Sequence, residues 1–241
     1  SKLRKPHKRY GPMRAMVLDH TGDVSHSPLH LRDRSVPVPQ AGQVLVNIHV
    51  CGVCRTDLHV VEGELPNTSF PLIPGHQAVG TVTQAGSGVT DLHEGDRVGI
   101  AWLQGTCGQC EFCASGRENL CLEATFTGYQ VDGGYAEYAV VPARFAYPIP
   151  SIFSDEEAAP LLCAGITTYS PLRHWKVGKG HKLGVLGLGG LGHMAVKFGV
   201  AFGAEVTVLS TSPEKETDAR RLGAHKFVAT KDEEQVKNVK G

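Results

Sequence analysis

Short apolar runs alternate with polar residues over the first two thirds of the chain, which is typical of half-buried β-strands. Glycine and proline separate the runs, and we expect strands at 15–18, 29–31, 44–50, 78–83, 96–101 and 134–141. Many short strands punctuated in this way are typical of an irregular, barrel-like all-β domain.

The pattern changes after Phe153. Ser154-Asp-Glu-Glu157 is a capping box that predicts a helix start, and helical residues continue through Cys163 towards His174. Buried strands at 182–186, 205–209 and 226–229 then alternate with helices at 193–202 and 214–222, which predicts a parallel α/β unit. We therefore expect a β domain over 13–163 and an α/β domain over 164–241.

Residues 1–12 are basic and carry no apolar periodicity; their cations are Lys2, Arg4, Lys5, Lys8 and Arg9. We interpret this segment as a disordered basic tail or a remnant added to the natural chain. A targeting role is the less favoured alternative. Met13 is expected to lie close to the natural start.

Composition excludes several classes of protein. The chain has 241 residues, 41% of them hydrophobic and 20% charged, and its formal net charge is zero. No overall field therefore favours nucleic acid or an anionic membrane. There is no apolar run long enough to span a bilayer and no secretory signal. Seven cysteines, an odd number, favour metal-bound thiolates in a reducing compartment, so we expect a cytoplasmic protein.

Four cysteines are concentrated in the predicted β domain, at Cys107, Cys110, Cys113 and Cys121. This spacing can surround one tetrahedral ion, and a closed four-thiolate site leaves no room for substrate, so its role would be structural. Reactive thiols or two disulfides are the alternatives. A nucleic-acid-binding finger is disfavoured because the lobe has few basic residues.

Three further places offer metal ligands. They are the stretch Cys51-Gly-Val-Cys-Arg-Thr-Asp-Leu-His59 at the end of a predicted strand, Pro74-Gly-His76, and Cys163 in an apolar context. One ligand from each place would give two thiolates and an imidazole. The alternatives are a redox pair at Cys51 and Cys54, a structural histidine at 76 and a packed thiol at 163.

A glycine-rich loop, Gly187-Leu-Gly189-Gly-Leu-Gly192, follows the first strand of the α/β unit and opens a helix. This is the context that a dinucleotide-binding loop requires, because its glycines let a pyrophosphate reach the helix N-terminus. A glycine-rich turn in an ordinary α/β unit is the alternative.

Together these residues resemble the zinc-dependent medium-chain alcohol dehydrogenases over roughly 13–241. The matching motifs are Cys-Gly-Val-Cys-Arg-Thr-Asp, Pro-Gly-His, the four-cysteine lobe, Asp132-Gly-Gly-Tyr-Ala-Glu137, Leu162-Cys-Ala-Gly165 and the glycine loop. The resemblance implies a two-domain α+β and α/β protein: a GroES-like β-barrel catalytic domain followed by a Rossmann dinucleotide-binding domain.

The resemblance also assigns roles to residues. It implies Cys54, His76 and Cys163 as ligands of a catalytic zinc; alcohol dehydrogenase is the standard example of such a site. It implies Thr56 and His59 as a proton relay, Asp57 as the carboxylate that orients His76, and Arg55 as a contact of the cofactor pyrophosphate. Cys51 matches no ligand position and is expected to pack. With the structural site at the four-cysteine lobe, two Zn²⁺ per chain are expected.

We expect NADP to be preferred over NAD. The loop residues Gly187, Gly189, Gly190, Leu191 and Gly192 would bind the pyrophosphate. The tip of the second strand carries Ser210, Thr211, Ser212 and Lys215 where an NAD enzyme has a carboxylate, as in the cinnamyl-alcohol-dehydrogenase branch. Ser212 as a simple helix cap is the alternative.

The expected activity is hydride transfer between alcohols and aldehydes or ketones, on a small-molecule substrate and without nucleic acid or membrane. The alternatives are a catalytically silent zinc-stabilised nucleotide-binding fragment and a zinc-free quinone or enone reductase. Two departures from the family are noted: Gln77 stands where Glu usually follows the ligand histidine, and three Rossmann strands are present rather than six. We therefore expect a C-terminally truncated chain, whose full-length form is a homo-oligomer. Trp102 and Leu103 are candidates for the substrate-pocket wall.

Overall fold

The computed structural model describes residues 10–66 and 68–239, and divides the chain into two compact units. Unit 1 ends at Leu162 and unit 2 begins at Cys163, one residue earlier than the predicted boundary. Within the described ranges, no helix combines the length and the apolar character needed to cross a membrane.

Unit 1 is built mainly from antiparallel strands. Its strands are β1 (Met13–Leu18), β2 (Leu29–Arg34), β3 (Gln43–Cys51), β4 (Ala78–Ala85), β5 (Arg97–Ile100), β6 (Leu103–Gly105), β7 (Thr125–Phe126), β8 (Tyr138–Pro142) and β9 (Ala146–Pro148). Its helices are α1 (Arg55–Glu62), α2 (Glu111–Ala114) and α3 (Asp155–Ala158). A five-stranded sheet in the order β8-β3-β4-β5-β9 forms the centre, while β1 pairs with β2 and β6 with β7.

The core of unit 1 lies on the central sheet, where runs of consecutive residues in β3, β4 and β5 are buried. Val44, Val46, Val82, Val98 and Ile100 pack there with Phe145. Two register shifts in β3, at Leu45/Val46 and at Ile48/Val50, are bulges that bend the strand. This curvature confirms the prediction of an irregular, barrel-like β domain.

The predicted strand at 134–141 begins only at Tyr138. The N–H groups of Gly134 and Tyr135 bond to the loop 73–75, while Tyr135 and Glu137 also bond to β1, so these residues do not continue β8. The short strands β6, β7 and β9 were not predicted, because two or three residues are too few to show an alternating pattern.

The helix predicted from Ser154 through Cys163 is interrupted. The capping box is present, since Glu157 donates its N–H to the Ser154 side chain at 3.2 Å. However, α3 passes into a 3-10 turn at Ala159–Leu162, and Cys163 leaves helical geometry with φ −128° and ψ −76°. The prediction of one continuous helix was therefore wrong.

Unit 2 is an α/β unit whose parallel sheet has the order β10-β11-β12. Its elements are α4 (Ala164–His174), β10 (Lys182–Leu186), α5 (Gly190–Ala201), β11 (Glu205–Ser210), α6 (Glu216–Arg221), β12 (Lys226–Ala229) and α7 (Glu233–Val239). Helix α5 begins three residues before its predicted start. Its buried Val196 packs with Val185, Val206 and Val208 of the sheet.

The predicted basic tail falls mostly on residues 1–9, outside the described residues. Tyr10, which belongs to the same predicted segment, is half-buried and its ring lies 5.2 Å from that of Tyr138. Tyr10 thus packs on unit 1, which differs from the expectation of a disordered segment at this position.

Candidate metal centres and cofactor site

Three potential ligands of one metal ion come together at the ends of short elements. Cys54 is the N-cap of α1, just after β3, and His76 lies just before β4. Cys163 directly follows Leu162, which is packed in the core of unit 1 with Val79 and Ala158. The ligand atoms of these three residues lie within 4.8 Å of one another. The structure thus brings together the three residues that the family resemblance selected.

The ring of His76 has one satisfied and one unsatisfied nitrogen. Its Nδ1 lies 2.8 Å from Oδ1 of Asp57, and the side chain is only 1% exposed. Its Nε2 is buried and has no hydrogen-bond partner in the described part of the chain. Because a carboxylate only accepts, Nδ1 carries the proton and Nε2 presents a lone pair. An orphaned buried nitrogen facing two cysteine sulfurs fits a zinc ion, whose ligands are of these types.

Asp57 is held by three donors. Its Oδ2 accepts the backbone N–H of Cys54 at 2.8 Å and the hydroxyl of Tyr135 at 2.9 Å, while Oδ1 accepts Nδ1–H of His76. The bond to Cys54 is one half of a capping box at the start of α1. The carboxylate therefore fixes both the first turn of α1 and the ring orientation of His76, the contact that the family resemblance implied.

The predicted relay residues lie on one face of α1, three positions apart. Oγ1 of Thr56 is 3.8 Å from Sγ of Cys54, so its hydroxyl lies beside the ligand group. His59 is half-buried and its Nδ1 pairs with Oε2 of Glu64. Glu64 was not predicted: it lies beyond the helix end at Gly63, whose positive φ of 78° turns the chain back towards His59.

Cys51 is not part of the ligand group and packs against the core of the central sheet. Burial raises the pKa of its thiol to about 12. A hydrogen bond with the backbone of Gln77 lowers this pKa, and the charge of Asp57 raises it. A thiol with this pKa stays neutral, which agrees with a packing role.

The four lobe cysteines converge on one point, and their sulfurs lie within 4.8 Å of one another. Measured Sγ–Sγ separations are 3.5 Å for Cys110 and Cys113, 3.6 Å for Cys107 and Cys121, and 3.9 Å for Cys107 and Cys113. A tetrahedral ion with metal–sulfur bonds of about 2.3 Å would separate its ligands by about 3.8 Å. This geometry fits zinc and is much too long for disulfides.

Backbone groups support thiolates in the lobe. The N–H of Cys110 lies 3.4 Å from Sγ of Cys107, and that of Cys107 lies 3.5 Å from Sγ of Cys121. Backbone N–H groups of Gln109 and Cys110 lower the pKa of Cys107 to about 7. A thiolate that forms near neutral pH is the protonation state that a metal requires.

The glycine loop has the close packing that a dinucleotide site needs. Gly187 has φ +87°, and a Cβ on Gly192 would lie 2.0 Å from the carbonyl oxygen of Gly187. By contrast, nothing lies within 4 Å of a Cβ on Gly189 or Gly190. Gly190 and Leu191 are the first residues of α5, and Leu191 is exposed. Gly192 thus serves packing, while Gly189 and Gly190 leave open space at the helix start.

A cavity of about 420 Å³ lies in unit 2 between the glycine loop and the tip of β11. It is lined by Gly187, Leu188, Gly189, Ser210, Thr211, Ser212 and Lys215, among others. Ser210 is buried and its Oγ accepts the N–H of Ser212 at 3.2 Å. Lys215 donates from Nζ to the carbonyl of Leu188 at 3.0 Å. Arg55 lies in unit 1, exposed, at the first position of α1.

The chain is similar to known proteins in sequence and in fold. Residues 40–151 match the family model of the alcohol dehydrogenase GroES-like domain. A cinnamyl alcohol dehydrogenase structure from Sorghum bicolor, SbCAD4, superimposes with a TM-score of 0.86 at 39% identity, covering 95% of this chain and 67% of that one. The chain belongs to the zinc-dependent medium-chain alcohol dehydrogenase family. Its two-domain architecture, GroES-like and Rossmann, is therefore the family's own.

Two curated relatives give the same family and the extent of the match. AdhA of Mycobacterium tuberculosis, named a probable alcohol dehydrogenase, is 45% identical over 88% of this chain and 63% of the relative. The NADP-dependent alcohol dehydrogenase C of Mycobacterium bovis is 43% identical over 84% of this chain and 61% of the relative. The chain thus spans less than two thirds of the length of these curated dehydrogenases.

Proposed function

We propose that this protein is a zinc-dependent alcohol dehydrogenase that interconverts alcohols with aldehydes or ketones by hydride transfer to and from NADP. The observation that carries the proposal is the buried Nε2 of His76, left without a partner while Asp57 holds Nδ1 and two cysteine sulfurs lie nearby. A quinone or enone reductase without zinc would have no use for this ligand set.

Each residue of the site then has a definite task. Cys54, His76 and Cys163 would hold the ion, and three protein ligands leave a fourth position for substrate. When bound, zinc supplies Lewis-acid polarisation of the substrate oxygen, and the nicotinamide exchanges the hydride. Thr56 would accept the proton of the substrate hydroxyl at Oγ1 while it gives up its own hydroxyl proton, which His59, paired with Glu64, would pass towards solvent.

The cofactor assignment is supported by the chemistry of the cavity in unit 2. The open space at Gly189 and Gly190 suits a pyrophosphate at the N-terminus of α5. Thr211, Ser212 and the ammonium of Lys215 can donate to a 2′-phosphate, whereas none of the described lining residues carries a carboxylate that would repel it. A relative named as NADP-dependent supports the same choice.

A second zinc in the cysteine lobe would be structural, because four thiolates close its coordination. We further propose a cytoplasmic location, where thiolate ligands stay reduced, and a homo-oligomeric assembly acting on small-molecule alcohols without nucleic acid. Oligomerisation is tested by sedimentation and does not affect the metal experiment below.

Metal content and turnover together test the function. We expect two zinc ions in the wild type, one in Cys163→Ser and one in Cys107→Ser, and NADP-linked oxidation of an alcohol panel that Cys163→Ser abolishes with the fold kept. Circular dichroism supplies the control for folding. Turnover of a quinone or enone without zinc would favour the reductase instead. Two bound zinc ions without turnover of any alcohol or aldehyde would favour a silent nucleotide-binding module.

A further inference from the structure

The segment Asp132–Tyr135 runs along the loop that carries His76, although almost sixty residues separate the two in sequence. Its backbone and side chain make four hydrogen bonds to residues 73–75. They are Ile73 N–H to Asp132 Oδ1 at 2.9 Å, Gly133 N–H to Ile73 O at 2.6 Å, Gly134 N–H to Gly75 O at 2.8 Å and Tyr135 N–H to Pro74 O at 2.9 Å. We call this segment the 132–135 clamp.

The clamp and the loop are packed so closely that only glycine fits at the contact. A Cβ on Gly133 would lie 2.1 Å from the carbonyl oxygen of Gly75. A Cβ on Gly75, which has φ +97°, would lie 2.6 Å from the ring of Tyr135. The Tyr135 ring therefore rests directly on the residue before His76, and its own position is well determined.

The hydroxyl of Tyr135 continues this contact to Asp57. It donates to Oδ2 at 2.9 Å, while the other oxygen of the same carboxylate accepts Nδ1–H of His76 at 2.8 Å. Burial, followed by the charge of Asp57, raises the pKa of Tyr135 well above its ordinary value. The phenol is therefore always a donor at physiological pH.

We propose that Tyr135 is a positioning residue for the metal ligand His76: its hydroxyl fixes the Asp57 carboxylate so that Nδ1 stays protonated and Nε2 faces the metal. This inference rests on the metal site of the proposed function. Asp57 is 4% exposed, so losing one of its three donors cannot be compensated by bulk water. The Cys54 N–H would then hold Oδ2 alone, and the carboxylate could turn away from the ring.

The first test measures metal retention. In the zinc-loaded chain, Tyr135→Phe should release the ion at Cys54, His76 and Cys163 to a chelator on the order of tenfold faster than the wild type. Release from the cysteine lobe serves as internal reference and should not change. Tyr129→Phe is the matched control, because its hydroxyl, a few residues before the clamp, donates to the carbonyl of Pro66 and not to Asp57. Equal acceleration in both variants would mean that Tyr135 only stabilises the fold, and would overturn the proposal.

The second test needs neither metal nor activity. Long-range ¹⁵N spectra of the metal-free chain should show His76 with its proton on Nδ1 in the wild type and in Tyr129→Phe. Tyr135→Phe should show a mixture of the two neutral tautomers. An unchanged His76 tautomer in Tyr135→Phe would overturn the proposal. If the wild type bound no zinc at this site, the proposed function would fail while these spectra would still decide the role of Tyr135.

Discussion

Ser210 and Lys215 contribute to the cavity of unit 2 in different ways. The Ser210 hydroxyl is turned inward and accepts the N–H of Ser212, so it shapes the tip of β11. Lys215 is the one charged residue among the described residues that line the cavity, and its ammonium is anchored on the carbonyl of Leu188. Selectivity for a 2′-phosphate should therefore depend most on Lys215.

Replacing Lys215 should separate the two cofactors. We expect Lys215→Met to weaken NADPH binding by about tenfold or more, since a hydrogen bond to a charged group contributes about 1.5–3 kcal/mol. NADH, without the phosphate, should bind nearly as before. Titration calorimetry gives both dissociation constants. Thr230→Val, in the same lining, is the control; an equal loss of both cofactors in Lys215→Met would contradict the assignment.

At the residue scale, sequence motifs were sufficient to select candidate site residues that lie close together in the chain. Cys54, Asp57 and His76 fall in motifs whose chemistry is readable from spacing and family resemblance. Tyr135 and Glu64 were not assigned a role, because their importance depends on contacts that form only when the chain folds back on itself. Tyr135 lies 78 residues from Asp57 in the sequence, and no local pattern signals their contact.

Among the elements, α3 and its 3-10 extension carry the chain to Cys163. The entry to α3 is fixed by Asp155, which accepts from Arg97 Nε at 2.6 Å and pairs with His49 at 2.8 Å. Arg97 also donates to the carbonyl of Phe153 at 2.7 Å. Burial tends to raise the pKa of Asp155, but the hydrogen bonds from His49 and Arg97 outweigh it and hold that pKa below its ordinary value.

The lowered pKa predicts an acid-dependent contribution to stability. Asp155→Asn should lower the free energy of unfolding by about 1 kcal/mol at pH 7, because Asp155 is partly exposed and its pair is screened. A carboxyl group whose pKa is lowered by folding stabilises the folded protein at pH values above its unfolded-state pKa. This stabilisation is lost as the pH falls through the folded-state pKa. The difference from wild type should therefore shrink as the pH falls below about 4. Urea titrations across this range measure it, with the exposed Asp33→Asn as control; a constant difference would contradict the mechanism.

Two positions of the glycine loop, Gly189 and Gly192, should respond differently to substitution by alanine. Gly192→Ala should destabilise unit 2 by several kcal/mol, since its Cβ would meet the Gly187 carbonyl oxygen at 2.0 Å. Gly189→Ala meets no such obstacle and should fold normally, yet its methyl group would occupy the space proposed for the pyrophosphate. Thermal unfolding and NADPH binding separate the two effects. Normal NADPH affinity in Gly189→Ala would exclude this loop position from the binding site.

Element prediction succeeded where the hydrophobic period was long enough, as in β3, β4, β10 and β11. It failed at Cys163, where a helical pattern continues through a residue that tertiary packing of Leu162 against Gly99 pulls out of the helix. In the proposed function, that break places Cys163 as the third ligand. The late start of β8 also depends on tertiary contacts, because Gly134 and Tyr135 donate their N–H groups to the loop 73–75, while Tyr135 and Glu137 bond to β1.

At the scale of the whole molecule, we expect the two compact units to differ in their dependence on metal. All four lobe cysteines lie in unit 1, whereas the parallel sheet of unit 2 has a core of Val185, Val206 and Val208. Thiolate sites contribute directly to folding free energy, so loss of the lobe's ion should act on unit 1.

Calorimetry of the metal-depleted chain should show this asymmetry. We expect the unfolding transition of unit 1 to fall by roughly 10 °C or more after chelation at the lobe, since several kcal/mol of binding energy are lost. The transition of unit 2 should stay in place, and NADPH should raise it selectively. Cys107→Ser should reproduce the effect of chelation without a chelator. A common shift of both transitions would mean that the units do not unfold independently.

The ring of Trp102 lies 4.9 Å from that of His76, edge to face, and stacks on Phe126 and Tyr129. The chain has one other tryptophan, Trp175, which is 74% exposed. The two indoles should therefore emit at different wavelengths, the half-buried one towards the blue. A coloured ion such as cobalt beside His76 should quench that blue component. The protein thus carries its own optical reporter of whether the histidine-containing site is filled.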